Sequence, residues 1–149
     1  MFERKIALYE LLKKKTFFLF GPRSTGKTFW IKHSLEKSIP YISLNNTTTY
    51  NRLMANPGEL SEMVLLHKKE KMAVIDEIQK IPQLLDEVHE LIENEGFRFL
   101  LTGSSARKLK RSNANMLGGR ARSISFFPLS YSEIPNFDLT RYLRWGGIP

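Results

Sequence analysis

Eight consecutive residues, Gly21-Pro22-Arg23-Ser24-Thr25-Gly26-Lys27-Thr28, satisfy the pattern G-x-x-x-x-G-K-[ST] at every position. Such a run suits phosphate binding. Glycine lets backbone N–H groups turn inward and approach phosphate oxygens without a Cβ in the way, and a helix starting at the end of the loop adds partial positive charge. Lys27 is then placed to neutralise β- and γ-phosphates. Thr28 presents a hydroxyl to Mg²⁺, a cation that takes few protein ligands and prefers oxygen. Phe29, the next residue, completes the set expected around a bound nucleotide.

Two further segments carry groups that such a loop would need. Met72-Ala73-Val74-Ile75-Asp76-Glu77 is an apolar run ending in adjacent carboxylates. It has the form of a Walker B segment, in which Asp76 holds Mg²⁺ directly or through water and Glu77 orients and deprotonates an attacking water. Phe97-Arg98-Phe99-Leu100-Leu101-Thr102-Gly103-Ser104-Ser105 is another apolar run with hydroxyls at its end. Ser104, preferred over Thr102, is a candidate to contact the γ-phosphate or the water. An alternative for Ser104 or Ser105 is to cap the helix that follows.

These groups converge only if the elements between them alternate in the right way. Residues 3–14 have helical spacing. Thr16–Phe20 reads as a buried strand ending at Gly-Pro, and Gly26–Lys37 as the helix after the loop. Tyr41–Leu44 reads as a second strand, Asn45–Thr49 as a polar loop, and residues 52–67 as two short helices broken at Asn56-Pro57-Gly58. Met72–Ile75, Phe97–Leu101 and Ile124–Phe127 are the remaining expected strands, with helices over Ile81–Glu93 and Ser105–Arg111. Apolar strands without clean alternation, separated by helices, predict an α/β fold with a parallel sheet covered on both faces. Trp30 and Trp145 are expected in the core.

The chain has 149 residues, 42% of them hydrophobic and 26% charged, values of an ordinary globular domain. It has no cysteine, which excludes disulfide scaffolds, thiol catalysis and cysteine-bound zinc or iron-sulfur centres. His33, His67 and His89 have no metal-ligand spacing. No apolar run is long enough to span a bilayer, and charged residues at Glu3, Arg4, Lys5 and Glu10 occupy the place of a signal peptide's apolar core, so a cytoplasmic protein without membrane contact is expected. The net charge of +8 is concentrated between Gly96 and Ser132, where Arg98, Arg107, Lys108, Lys110, Arg111, Arg120 and Arg122 face no Asp or Glu. Three readings stay open for this block: a nucleic-acid face, arginines at a nucleotide or subunit boundary, or a solvated surface.

Together with Gly-Gly-Arg followed by Phe-Pro-Leu-Ser-Tyr-Ser-Glu, and Trp-Gly-Gly-Ile-Pro near the C-terminus, the three motifs resemble the prokaryotic AAA-type ATPase family over residues 16–149. The resemblance implies a P-loop NTPase three-layer sandwich with a five-stranded parallel sheet in the order 5-1-4-3-2, following a leading helix over residues 1–15. It implies ATP as the nucleotide, ADP as product and Mg²⁺-dependent hydrolysis coupled to conformational change. It also implies a homo-oligomer, with Arg120 acting on a γ-phosphate in cis or in a neighbouring subunit. Arg120 as a solvated or nucleic-acid-binding residue is the alternative. Family members continue past this point into a lid and a C-terminal domain, so the chain is expected to be a core that ends before them. Alternatives to an ATPase are a nucleotide-binding remnant without turnover, a nucleic-acid-binding module using residues 96–132, and a small-molecule kinase.

Overall fold

The computed structural model describes residues 7–104, 106–111, 117–134 and 136–146. Five parallel strands form one sheet: β1 (Thr16–Phe20), β2 (Tyr41–Ser43), β3 (Met72–Asp76), β4 (Arg98–Gly103) and β5 (Ala121–Ser125), in the spatial order β2-β3-β4-β1-β5. This is the expected order, read from the opposite edge. β1 lies between β4 and β5, with Phe17 opposite Leu100 and Thr16 opposite Ala121.

Both faces of the sheet are buried at β1, β3 and β4, which is why these strands lack a polar alternation. On one face Phe18, Phe20, Ile75, Phe99 and Leu101 pack with Leu53 of α3 (Thr47–Ala55), Leu60 and Val64 of α4 (Glu59–Leu65), Val88 and Leu91 of α5 (Leu84–Glu95), and Leu109 of α6 (Ala106–Arg111). On the other, Phe17, Leu19, Val74 and Leu100 pack with Leu8 and Leu12 of α1 (Leu8–Lys14), and Trp30 and Ile31 of α2 (Lys27–Ser34). The result is the three-layer sandwich, with β1, β3 and β4 covered by helices on both sides.

Several boundaries differ from expectation for local reasons. Residues 3–6 and Ser105 lie outside the described residues, so α1 and α6 are described from Leu8 and Ala106. The polar stretch from Asn45 is not all loop: Asn46 accepts a hydrogen bond from Thr49 N at 3.0 Å and starts α3 at Thr47. A side-chain cap thus offsets the weak helix propensity of three threonines. β5 begins three residues earlier than its apolar signal, because it is an edge strand whose Arg122, Ser123 and Ser125 are exposed. Phe126 instead packs on Trp30 beyond the strand, with ring centroids 5.0 Å apart. Trp145 is not in the core; it is 74% exposed on α7 (Leu139–Trp145), a helix not anticipated from the sequence.

Candidate nucleotide-binding site

The carboxyl ends of β1, β3 and β4 open on the same edge of the sheet, where ligands of open α/β folds bind. The segment 21–28 leaves β1 and enters α2, whose first residue is Lys27. Gly26 precedes it with φ of 80°, and no side chain caps the helix. The first-turn N–H groups are therefore directed to the loop as anion donors. The glycine at 21 has a packing reason besides phosphate approach: a Cβ there would lie 2.1 Å from the carbonyl oxygen of Phe126. The loop is also braced internally, with the Thr25 hydroxyl donating to Pro22 O at 2.9 Å.

Lys27 is buried, and its ammonium donates to the carbonyls of Gly21 and Pro22, both at 2.6 Å. Burial lowers its pKa from the usual lysine value, opposed by the charges of Glu77 and Asp76. That opposition places the two carboxylates in the field of the lysine. Residues 23–29 line, with Asn45, Asp76 and Glu77, an open cavity of about 510 Å³. The structure thus brings together Lys27, Thr28, Asp76, Glu77 and Phe29, which is 57% exposed at the rim and stacked on His33 at 4.0 Å.

Asp76 is buried and accepts a hydrogen bond from the Thr102 hydroxyl at 2.5 Å. The same Thr102 oxygen accepts from Glu77 N at 3.3 Å. Thr102, second to Ser104 from sequence, is thus the hydroxyl that holds the Asp76 carboxylate. Its role depends on β4 lying beside β3, which no local motif reveals. Ser104 does not line the cavity; its oxygen is 3.5 Å from Gln79 Nε2, and that nitrogen also donates to Glu77. Glu77 has φ of 62°, as Ser24 in the phosphate loop has φ of 61°, so two of the left-handed non-glycine residues fall at this site. Such conformations are costly and persist where surrounding structure enforces them.

Two residues missed from sequence complete the surroundings. Asn45, just past β2, lines the cavity. Tyr41 begins β2, and its buried hydroxyl lies toward Thr28 and Asp76 without full hydrogen-bond geometry to either. Burial first, and then the nearby charge of Asp76, raises its pKa and keeps the phenol neutral. Its place was readable only from the register, in which Tyr41 pairs with Val74 and Ser43 with Asp76.

Thr28 and Asp76 fit a magnesium ion by donor type: a hydroxyl and a buried carboxylate on one wall of a cavity. Among the described residues no group of three or more His, Cys, Asp or Glu could hold a metal. One or two protein oxygens completed by phosphate and water is the coordination Mg²⁺ prefers.

Arg120 is not brought to this cavity. β5 runs parallel to β1 with Thr16 opposite Ala121, so Arg120 stands at the amino ends of these strands. The phosphate loop leaves the other end, roughly 16 Å away for a five-residue strand. There Arg120 donates to Glu93 near the end of α5, and this pairing lowers the Glu93 pKa through hydrogen bonding and then charge. The reading in cis is corrected accordingly. Of the basic side chains described, Arg98, Arg120 and Arg122 lie at or near the amino ends of β4 and β5, while Arg107 lies on α6 beyond the carboxyl end of β4. The side chains of Lys108, Lys110 and Arg111 lie outside the described residues.

The sheet order, the loop between β1 and α2, and the carboxylates ending β3 define a phosphate-loop NTPase-type domain. More narrowly, residues 13–135 match the AAA domain family, and the chain belongs to it. It is 27% identical over 163 aligned positions to MJ1544, an uncharacterized protein of Methanocaldococcus jannaschii, covering 94% of this chain and 37% of that protein. The chain thus spans little more than a third of that relative's length. Among solved structures it is similar to the replication initiator DnaA bound to AMPPCP and single-stranded DNA, with a TM-score of 0.54, 14% identity, and coverage of 85% of this chain and 46% of that one. At that identity the likeness concerns the fold. Among the described residues no helix is long and apolar enough to cross a membrane.

Proposed function

We propose that this chain binds ATP with Mg²⁺ and hydrolyses it to ADP and phosphate, as the core of a cytoplasmic AAA-type ATPase. The observation that carries the reading is the meeting of Lys27, Thr28, Asp76 and Glu77 around one cavity at the start of α2. Lys27, held by two loop carbonyls, would exchange them for β- and γ-phosphate oxygens, and the N–H groups of the loop and of α2 would complete the cradle. Thr28 and Asp76 would hold Mg²⁺, which supplies charge stabilisation across the β- and γ-phosphates. Glu77 would take a proton from water as the water oxygen bonds to the γ-phosphorus and the bond to the β-phosphate oxygen breaks. ATP as the nucleotide rests on family membership. Lys27→Ala should abolish binding of a fluorescent ATP analogue while the far-UV circular dichroism is retained; retained affinity would refute the placement of the phosphates.

The coupling of hydrolysis to conformational change, assembly into a homo-oligomer, and an Arg120 that serves a neighbouring subunit belong to the same proposal. A domain running from residue 16 to 149 behind the leading helix is its expected extent. A second reading, contact with nucleic acid, is supported by the acid-free stretch 98–122 and by the single-stranded DNA on the DnaA structure. It predicts binding that weakens steeply with salt, and salt-insensitive or absent binding would count against it.

A further inference from the structure

Gln79 occupies the short 3₁₀ turn, Ile78–Lys80, that follows Glu77. Its side-chain nitrogen makes two contacts, one with the Glu77 carboxylate and one, at 3.5 Å, with the Ser104 hydroxyl. Its oxygen Oε1 is buried without a hydrogen-bond partner among the described residues. The reverse orientation of the amide would press that oxygen against the Glu77 carboxylate, so the carboxamide is held by what its nitrogen does. The end of β4 is shaped around it: a Cβ on Gly103 would lie 2.5 Å from Gln79 Oε1. Gly103 in turn abuts the phosphate loop, its carbonyl accepting from Gly21 N at 3.2 Å.

We propose that Gln79 is a positioning residue, whose carboxamide fixes the orientation of the Glu77 carboxylate and ties it to Ser104. The inference rests on the reading of Glu77 as the group that activates water. The backbone of Glu77 is held by Thr102, but that bond leaves the side-chain torsions free. Among the described residues Gln79 is the side chain that donates to its carboxylate oxygen. A carboxylate that must meet a water in line with the γ-phosphate loses rate steeply when its orientation is lost. Ser104 therefore acts on the site through Gln79, which accounts for its place outside the cavity.

The test has two parts on the full chain. In ¹⁵N NMR spectra without nucleotide, the Gln79 side-chain amide signals, identified by their loss in Gln79→Met, should move in Glu77→Gln. Unmoved signals overturn the contact, whether or not the protein hydrolyses ATP. In turnover assays Gln79→Met should lower kcat by about tenfold or more with nucleotide affinity within about twofold, a split that loosening of the fold would not give. In the Glu77→Gln background the same substitution should add nothing. An unchanged kcat, or equal losses with and without Glu77, overturns the proposal. A wild-type chain that binds nucleotide without turnover counts against the ATPase reading, and the amide signals still decide whether Gln79 holds the Glu77 carboxylate.

Discussion

Replacing Thr102 by valine removes one oxygen that serves two partners. The hydroxyl donates to the buried carboxylate of Asp76 at 2.5 Å and accepts from the backbone of Glu77 at 3.3 Å, and Thr102 itself is fully buried. Valine has nearly the same shape, so packing is conserved while the hydrogen bonds are lost. A hydrogen bond to a charged group contributes about 1.5–3 kcal/mol, and a buried N–H left without a partner costs about 1–3 kcal/mol. The two effects share one site and are not fully additive, giving a destabilisation of about 2–4 kcal/mol. With a urea slope of about 2 kcal/mol per molar, the unfolding midpoint should fall by roughly 1–2 M. Thr102→Ser keeps the hydroxyl and loses one methyl, which costs about 1 kcal/mol. Urea unfolding of the three proteins without nucleotide therefore isolates the hydroxyl. A valine variant as stable as the serine variant would refute the role assigned to Thr102.

Tyr41→Phe removes a buried hydroxyl that lies toward Thr28 and Asp76 without full hydrogen-bond geometry to either, so stability without nucleotide should change by less than about 1 kcal/mol, measured by thermal unfolding; a larger loss would show that the hydroxyl is bonded in solution. Arg120→Ala should raise the Glu93 pKa toward the ordinary carboxylate value, followed by NMR titration. Because the pairing depresses that pKa in the folded state, its contribution to stability is present above the unfolded-state value and is lost as pH falls through the folded-state value. In the monomer the same variant should leave nucleotide affinity unchanged, since Arg120 lies at the far end of β1 and β5 from its own chain's cavity.

The chemistry at the end of each strand was more legible than the connections between strands. Residues 21–28 carry their meaning in one contiguous run, and Asp76 and Glu77 stand where an apolar strand stops. Adjacency came with the family resemblance, whose order 5-1-4-3-2 sets β4 beside β3; what no local motif conveys is which side chains then meet across the strands. Thr102 binds Asp76 because β4 lies beside β3, and Tyr41 lies near Asp76 because β2 lies on the other side. Of the alternatives open for Arg120, action in cis does not fit its place at the amino ends of β1 and β5; a motif's spacing does not say at which end of the sheet it falls. The start of β5 was hidden because an exposed edge strand carries polar residues. Trp145, expected in the core with Trp30, lies exposed on α7 with Leu139 and Leu143.

The most direct test of the account is a paired measurement of nucleotide binding and single-turnover hydrolysis for wild type and Glu77→Gln. The wild type should bind Mg²⁺-ATP and convert it to ADP. Glu77→Gln should bind with comparable affinity and lose turnover by about a hundredfold or more, because a carboxamide cannot accept the proton of the attacking water. Undiminished turnover in that variant would contradict the assignment of Glu77, and absence of Mg²⁺-ATP binding by the wild type would contradict the site itself.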